Sequence, residues 1–96
     1  MPLTSSLVTV GTTATLLAAA DRGRRFIAFA NDTGSHIHIG GVGVTVDNGI
    51  RLDDKDELLI QQQHPNDHTP GQAWYAVVAA GTQDVGVTIG TEDSTT

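Results

Sequence analysis

The chain has 96 residues, with 5 Lys and Arg against 11 Asp and Glu, so it carries a formal charge of −6 and has a pI near 4.7. A domain of this size buries only about 60–65% of the surface that its unfolded form exposes, which supports one modest core and disfavours a deep catalytic cleft. The absence of cysteine excludes a disulfide framework and thiolate chemistry, and the acidic balance argues against nucleic acid, because Arg22, Arg24 and Arg25 are the only clustered cations.

The opening MPLTSSLVTVG has neither the charged start nor the continuous apolar run of a secretory leader. No apolar stretch approaches the roughly 18 residues of a membrane span. The expectation is a soluble chain made in the cytoplasm. Ser6 to Val10 reads as a short strand, within a segment 1–10 that could serve as an N-terminal arm. Residues 14–22, ATLLAAADR, are rich in the helix formers Ala and Leu. Their β-branched lead-in TVGTTAT and the early Gly23 leave too little length for a stable amphipathic helix, so a strand is expected there.

RRFIAFAN is apolar on both faces, with Phe26, Ala28 and Ala30 against Ile27 and Phe29. AWYAVVAA repeats the pattern, with Trp74, Ala76 and Val78 against Tyr75, Val77 and Ala79. Both read as central strands, or as strands whose second face is covered by a partner. HIHIG alternates strictly over 36–40, which predicts a half-buried strand with Ile37 and Ile39 inward and His36 and His38 outward. Ile50 to Leu52 forms a shorter strand, and Glu57 to Gln61 another with Leu58 and Ile60 inward. Residues 82–84 should turn into a closing strand at 85–89, with Val85, Val87 and Ile89 inward. A polar tail, 91–96, follows. Turn residues recur about every 8–12 positions, as in sandwiches and barrels. The chain is therefore expected to be all-β: a single small β-sandwich or barrel of about seven to eight antiparallel strands over residues 1–96.

Few of the polar clusters suggest chemistry. His36 with His38, and His64 with His68, are imidazole pairs of a type that zinc or nickel sites use. No further pattern supports a ligand set, and exposed or interface histidines are the better account. Asp53, Asp54, Asp56 and Glu57 surround Lys55 but lack the loop glycine and terminal glutamate of an EF-hand, so a solvated turn is expected. The same acids sit in one turn rather than across a cleft, which disfavours glycoside chemistry. Gly40-Gly41-Val42-Gly43 is followed by neither the Lys-Ser/Thr nor the helix of a phosphate loop and reads as a turn. No nucleophile elbow surrounds Ser5, Ser6 or Ser35. The expectation is a protein that is not an enzyme and uses no cofactor or metal.

Interaction is the better-supported theme. Trp74 and Tyr75 face opposite sides of one strand, so one can anchor a partner. Arg22, Arg24 and Arg25 could dock on an acidic surface through bidentate pairs. In the first strand, Leu7, Val8 and Val10 could add as an edge to a neighbouring sheet. The doubly apolar faces of 26–30 and 74–80 exceed what so short a chain can cover by itself, which points to a homo-oligomer.

The stretches TVGTTATLLAAADR, RRFIAFANDTG, HIHIGGVGVT, DNGIRLDDKDELLI and AWYAVVAAGTQDVGVTIG, in that order over about residues 8–90, resemble small virion accessory proteins of tailed bacteriophages. The resemblance lies in strand order and turn wording and carries no catalytic signature. It implies a capsid decoration (cement) protein that binds the major capsid protein, as a trimer, on the virion surface. An attachment domain of a head or tail fibre is the alternative, although the chain has no repetitive shaft after its last strand. A carbohydrate-binding β-sandwich module using Trp74 or Tyr75 is a further alternative. A cupin-type enzyme, whose His-x-His is suggested by His36 and His38, would need the glutamate of that motif and a final histidine on a later strand, and no histidine follows His68.

Overall fold

The computed structural model describes residues 3–32, 34–63 and 69–91. The strands are β1 (Leu3–Val10), β2 (Thr15–Ala18), β3 (Arg24–Asn31), β4 (Ile37–Gly40), β5 (Ile50–Leu52), β6 (Glu57–Gln61), β7 (Trp74–Val77) and β8 (Gln83–Thr91), with one 3-10 turn at Thr69–Gly71. They form two four-stranded antiparallel sheets, ordered β1-β8-β3-β6 and β2-β7-β4-β5. The all-β reading holds, and the architecture is a small β-sandwich. The two doubly apolar segments are internal strands: β3 lies between β8 and β6, and β7 between β2 and β4.

The core follows from period-2 alternation. Val85 and Val87 of β8 and Ile27 and Phe29 of β3 face Ile37 and Ile39 of β4, Leu17 of β2 and Ala76 of β7, all buried. Leu58, Ile60 and Ile89 pack around this cluster. Each large side chain so buried contributes about 1.5–3 kcal/mol of hydrophobic free energy.

Several boundaries differ from the sequence expectation, and pairing explains most of the differences. Strand β1 begins at Leu3 and pairs residue by residue with β8 along its whole length, from Leu3↔Gly90 to Val10↔Gln83. Residues 3–10 are thus an edge strand of their own sheet rather than a free arm. The same pairing draws Gln83 and Asp84 into β8, where a turn was expected. Polar residues join a strand when a neighbour satisfies their backbone groups, whatever the hydrophobic pattern. In 14–22 only Thr15–Ala18 is extended, with an irregularity between Leu16 and Ala18.

The polar ends of β3 lock the two sheets together. Asn31 is fully buried, and its side-chain amide donates to Ser35 O (2.6 Å) and to Leu52 O of β5 (3.0 Å). Arg24, at the other end, reaches segments that flank β2 and β7. An apolar strand thus carries its buried polar groups at its termini, where carbonyls without ladder partners can receive them.

Candidate functional site

The eight residues expected at an interface divide between surface and interior. Leu7 is on the surface, 68% exposed, and Val8 is half-buried against the core. Val10 is 0% exposed and belongs to the core rather than to an interface, because its side chain shares the inward face of β1 with Val8. Arg22 is exposed. Arg24 is not a docking residue: it is only 5% exposed, and its guanidinium donates to Ala19 O (2.7 Å), Pro70 O (3.0 Å) and Gln72 O (3.1 Å). Burial lowers its pKa, with Asp21 acting in the opposite direction. Arg25 donates to Gln62 Oε1 at 2.6 Å.

The turn that carries Arg24 is built for this contact. Asp21 N donates to Gly71 O (2.8 Å), and Arg24 N donates to Asp21 O (3.1 Å). The two chain segments approach so closely that a Cβ on Gly71 would lie 2.4 Å from Asp21 O. Only glycine fits there. The isolated RGRR cluster gave no signal of this burial, because the acceptors are carbonyls about 5 and about 46–48 residues away.

Trp74 and Tyr75 take opposite faces of β7, as expected from the strand period. Trp74 packs on the core, its ring 5.6 Å from Phe29 at 57°, with its indole N–H buried and unpaired. Tyr75 is half-buried on the outer side. Both border a shallow cleft of about 440 Å³ with Gly41, Val42, Thr69, Gln72 and Ala73. With Trp74 committed to Phe29, the cleft is not a two-ring stacking platform.

His36 and His38 form an edge-on pair, with ring centroids 5.4 Å apart at 88°. His38, expected on the solvent side, is 8% exposed. The segment 41–49 folds back over β4: Val44 is buried, and a Cβ on Gly49 would lie 2.9 Å from His38 Cβ and 2.6 Å from Val44 Cγ2. Burial lowers the His38 pKa, and His36 and Arg51 lower it further, against Asp47 and Asp53. Its Nδ1 has no partner. Val77, the cross-strand neighbour of His38, is buried as well, so the chain covers the second face of β7 with its own loop. His64 and His68 lie outside the described residues. Among the described residues, no group of three or more His, Asp or Glu converges as a metal set would require.

The carboxylates of the acidic turn accept from backbone and side-chain donors around them. Asp53 N donates to Asp56 Oδ2 (3.0 Å), Gly34 N to Asp54 Oδ1 (2.9 Å) and Arg51 Nε to Asp53 Oδ1 (2.7 Å), and Lys55, at φ 72°, pairs with Asp32. That hydrogen bond raises the Lys55 pKa.

Among the described residues, no segment is laid across the outer face of sheet β1-β8-β3-β6 as 41–49 is across β4. Register places Leu7, Gly86, Ala30 and Glu57 in one row across it, and Ser5, Thr88, Ala28 and Leu59 in the next. Leu3, Leu7 and Leu59 are 66%, 68% and 51% exposed. A shallow trough of about 380 Å³ on this face is lined by Ser5, Ala28, Ala30, Glu57, Gly86 and Thr88, and register sets Leu7 and Leu59 in the same rows.

No family model matches the chain, and no curated protein matches it. A solved structure of Bacillus endospore appendages, which form a family of disulfide-linked pili, shares the fold with a TM-score of 0.50 at 18% identity, over 96% of this chain and 87% of that one. The class that the fold defines is a small two-sheet β-sandwich.

Proposed function

We propose that the chain is a non-enzymatic structural protein of a tailed-bacteriophage particle, a decoration (cement) protein that binds the major capsid protein and stabilises the assembled head. The observation that carries this reading is the division of its surface. Arg24, Asn31, Asp54 and Asp56 are engaged in holding the fold, whereas exposed leucines and an uncharged eight-residue edge strand face outward. The free side of β1 can pair with an extended capsid segment, since an edge strand supplies main-chain donors and acceptors without a pocket. Arg22 adds charge at the rim, where an exposed pair contributes only about 0–1 kcal/mol.

A second reading, a subunit of a fibre or appendage, is supported by the shared fold of the endospore pilus. Having no cysteine, this chain would assemble without disulfides. Cosedimentation with purified heads that lack the protein separates the two. Decoration requires saturable binding at a fixed ratio to the major capsid protein. It also requires that binding be lost in a Thr4→Lys/Ser6→Lys variant, whose charges sit at exposed positions of the β1 edge. Absence from heads together with recovery in purified fibres would establish the second reading in its place.

A further inference from the structure

We propose that the 41–49 segment is an acid-released flap, latched over the His36–His38 pair at neutral pH and lifted from β4 when that pair takes up a proton. The inference does not depend on which particle the protein belongs to. The segment is a unit of its own. Its hydrogen bonds run inside it, from Val44 N to Gly41 O (3.0 Å), from Thr45 N to Asn48 Oδ1 (2.8 Å) and from Gly49 N to Thr45 O (3.1 Å). Among the described residues, no hydrogen bond or salt bridge joins 42–48 to a strand. Val44 is its only buried residue, seated so closely on the glycines beneath it that a Cβ on Gly40 or Gly49 would lie 3.0 or 2.6 Å from Val44 Cγ2. One valine therefore docks the whole segment, a contact at the weakly held end of what a domain contains.

Beneath it lies a site suited to a neutral imidazole and not to a charged one. His38 stands between its cross-strand neighbours, Arg51 of β5 and Val77 of β7, with Gly49 against its Cβ. Its Nδ1 is sealed without a partner, and His36 meets its ring edge-on. An imidazolium has two N–H groups to satisfy, and a cation shut away from acceptors and water is costly. The surrounding charges do not relieve it. His36, on its own strand's side, and Arg51 of β5 oppose a positive His38; Asp47 on the flap and Asp53 after β5 favour one; β7 brings only Val77. Neither carboxylate is hydrogen-bonded to His38, and Asp53 Oδ1 is taken by Arg51 Nε at 2.7 Å.

Lifting the flap admits water to Nδ1 and lets the ring charge. Burial, then His36 and Arg51, hold His38 below its usual pKa in the closed form, so closure is favoured above the ordinary imidazole value of about 6.5 and loses ground as the pH falls below it. For a closed form that excludes the proton altogether, the open fraction rises roughly thirtyfold between pH 7.5 and 5.0, which is the upper limit. Opening bares Val44 and Val77 and widens the cleft of about 390 Å³ that these two valines already line together with Val46 and Val78. The face of β7 that is closed at neutral pH becomes an apolar surface in mild acid.

Thiol labelling in the otherwise cysteine-free chain tests the latch. Val44→Cys on the flap and Val77→Cys beneath it are treated with a small maleimide at pH 7.5 and 5.0, each rate being divided by that of an unstructured peptide carrying the same cysteine, which removes the thiol's own pH dependence. Both normalised rates should rise about ten- to thirtyfold on acidification and stay at least tenfold above that of Val87→Cys, in the core of the other sheet. With His38→Asn added, the rise should vanish. In the unaltered chain, the methyl resonances of Val44 and Val77 should shift together with the His38 ring protons, while those of Val85 and Val87 stay in place. Rates at 44 and 77 equal to that at 87 would overturn the flap in favour of opening of the whole domain. A rise that survives His38→Asn, the absence of any rise, or valine methyls that hold still while His38 titrates would each overturn the histidine latch.

Discussion

Replacing Arg24 by alanine tests the claim that this arginine is an internal strut rather than a docking residue. The side chain donates three hydrogen bonds to carbonyls of Ala19, Pro70 and Gln72 at 2.7–3.1 Å, and hydrogen bonds to charged groups are each worth about 1.5–3 kcal/mol net. Two terms reduce the sum: the charge is desolvated, and its Nε is buried without a partner. Truncation also lets water reach some of the released carbonyls. The expected cost is therefore about 3 kcal/mol, well below three times a single bond. In a domain of this size each kcal/mol shifts the thermal midpoint by about 4–8 °C, so Arg24→Ala should melt about 12–24 °C lower. Urea unfolding followed by tryptophan fluorescence is a suitable assay, because Trp74 lies next to Gln72 and Ala73 in the segment that Arg24 anchors. Arg24→Lys should retain part of the stability. Arg25→Ala, which removes one part-buried bond to Gln62, should cost about 1.5 kcal/mol, the low end for a single bond to a charged group. A loss below 1 kcal/mol in Arg24→Ala, with unchanged fluorescence, would refute the strut.

Two further outcomes follow from close packing. Gly71→Ala would place a Cβ 2.4 Å from Asp21 O, forcing apart the segments that the Asp21 N to Gly71 O bond joins, and should destabilise by about 2 kcal/mol or more, whereas Gly41→Ala, with no atom within 4 Å, should stay within about 0.5 kcal/mol in the same urea titration. His38 is held below its usual pKa by burial, then by His36 and Arg51; as the pH falls below about 6.5 the unfolded chain takes up a proton that the folded chain resists, so stability present above that pH is progressively lost. Urea midpoints at pH 7.5 and 5.0 should show this decline, and His38→Asn should flatten it; an equal slope in the variant would place the titration elsewhere.

Local pattern was sufficient for the elements. Strict alternation in HIHIG and DVGVTIG, and the doubly apolar RRFIAFAN and WYAVV, specify strands and their inward residues because a strand's side-chain period is a property of the backbone alone. Turn residues at short spacing then specify an all-β chain. The fate of the polar residues was not local. Arg24 and Arg25 are adjacent and chemically identical, yet Arg24 finds three carbonyls brought in by distant segments. His38 obeys the outward period of β4 and is nevertheless buried, because the path of 41–49, made possible by Gly49, closes over it. Likewise, of two faces that the sequence presents as equally apolar, on β3 and β7, the described residues lay a loop over the one on β7. Periodicity states which side of a strand a residue occupies, while burial depends on what the rest of the chain lays across that side, and only the tertiary structure decides it.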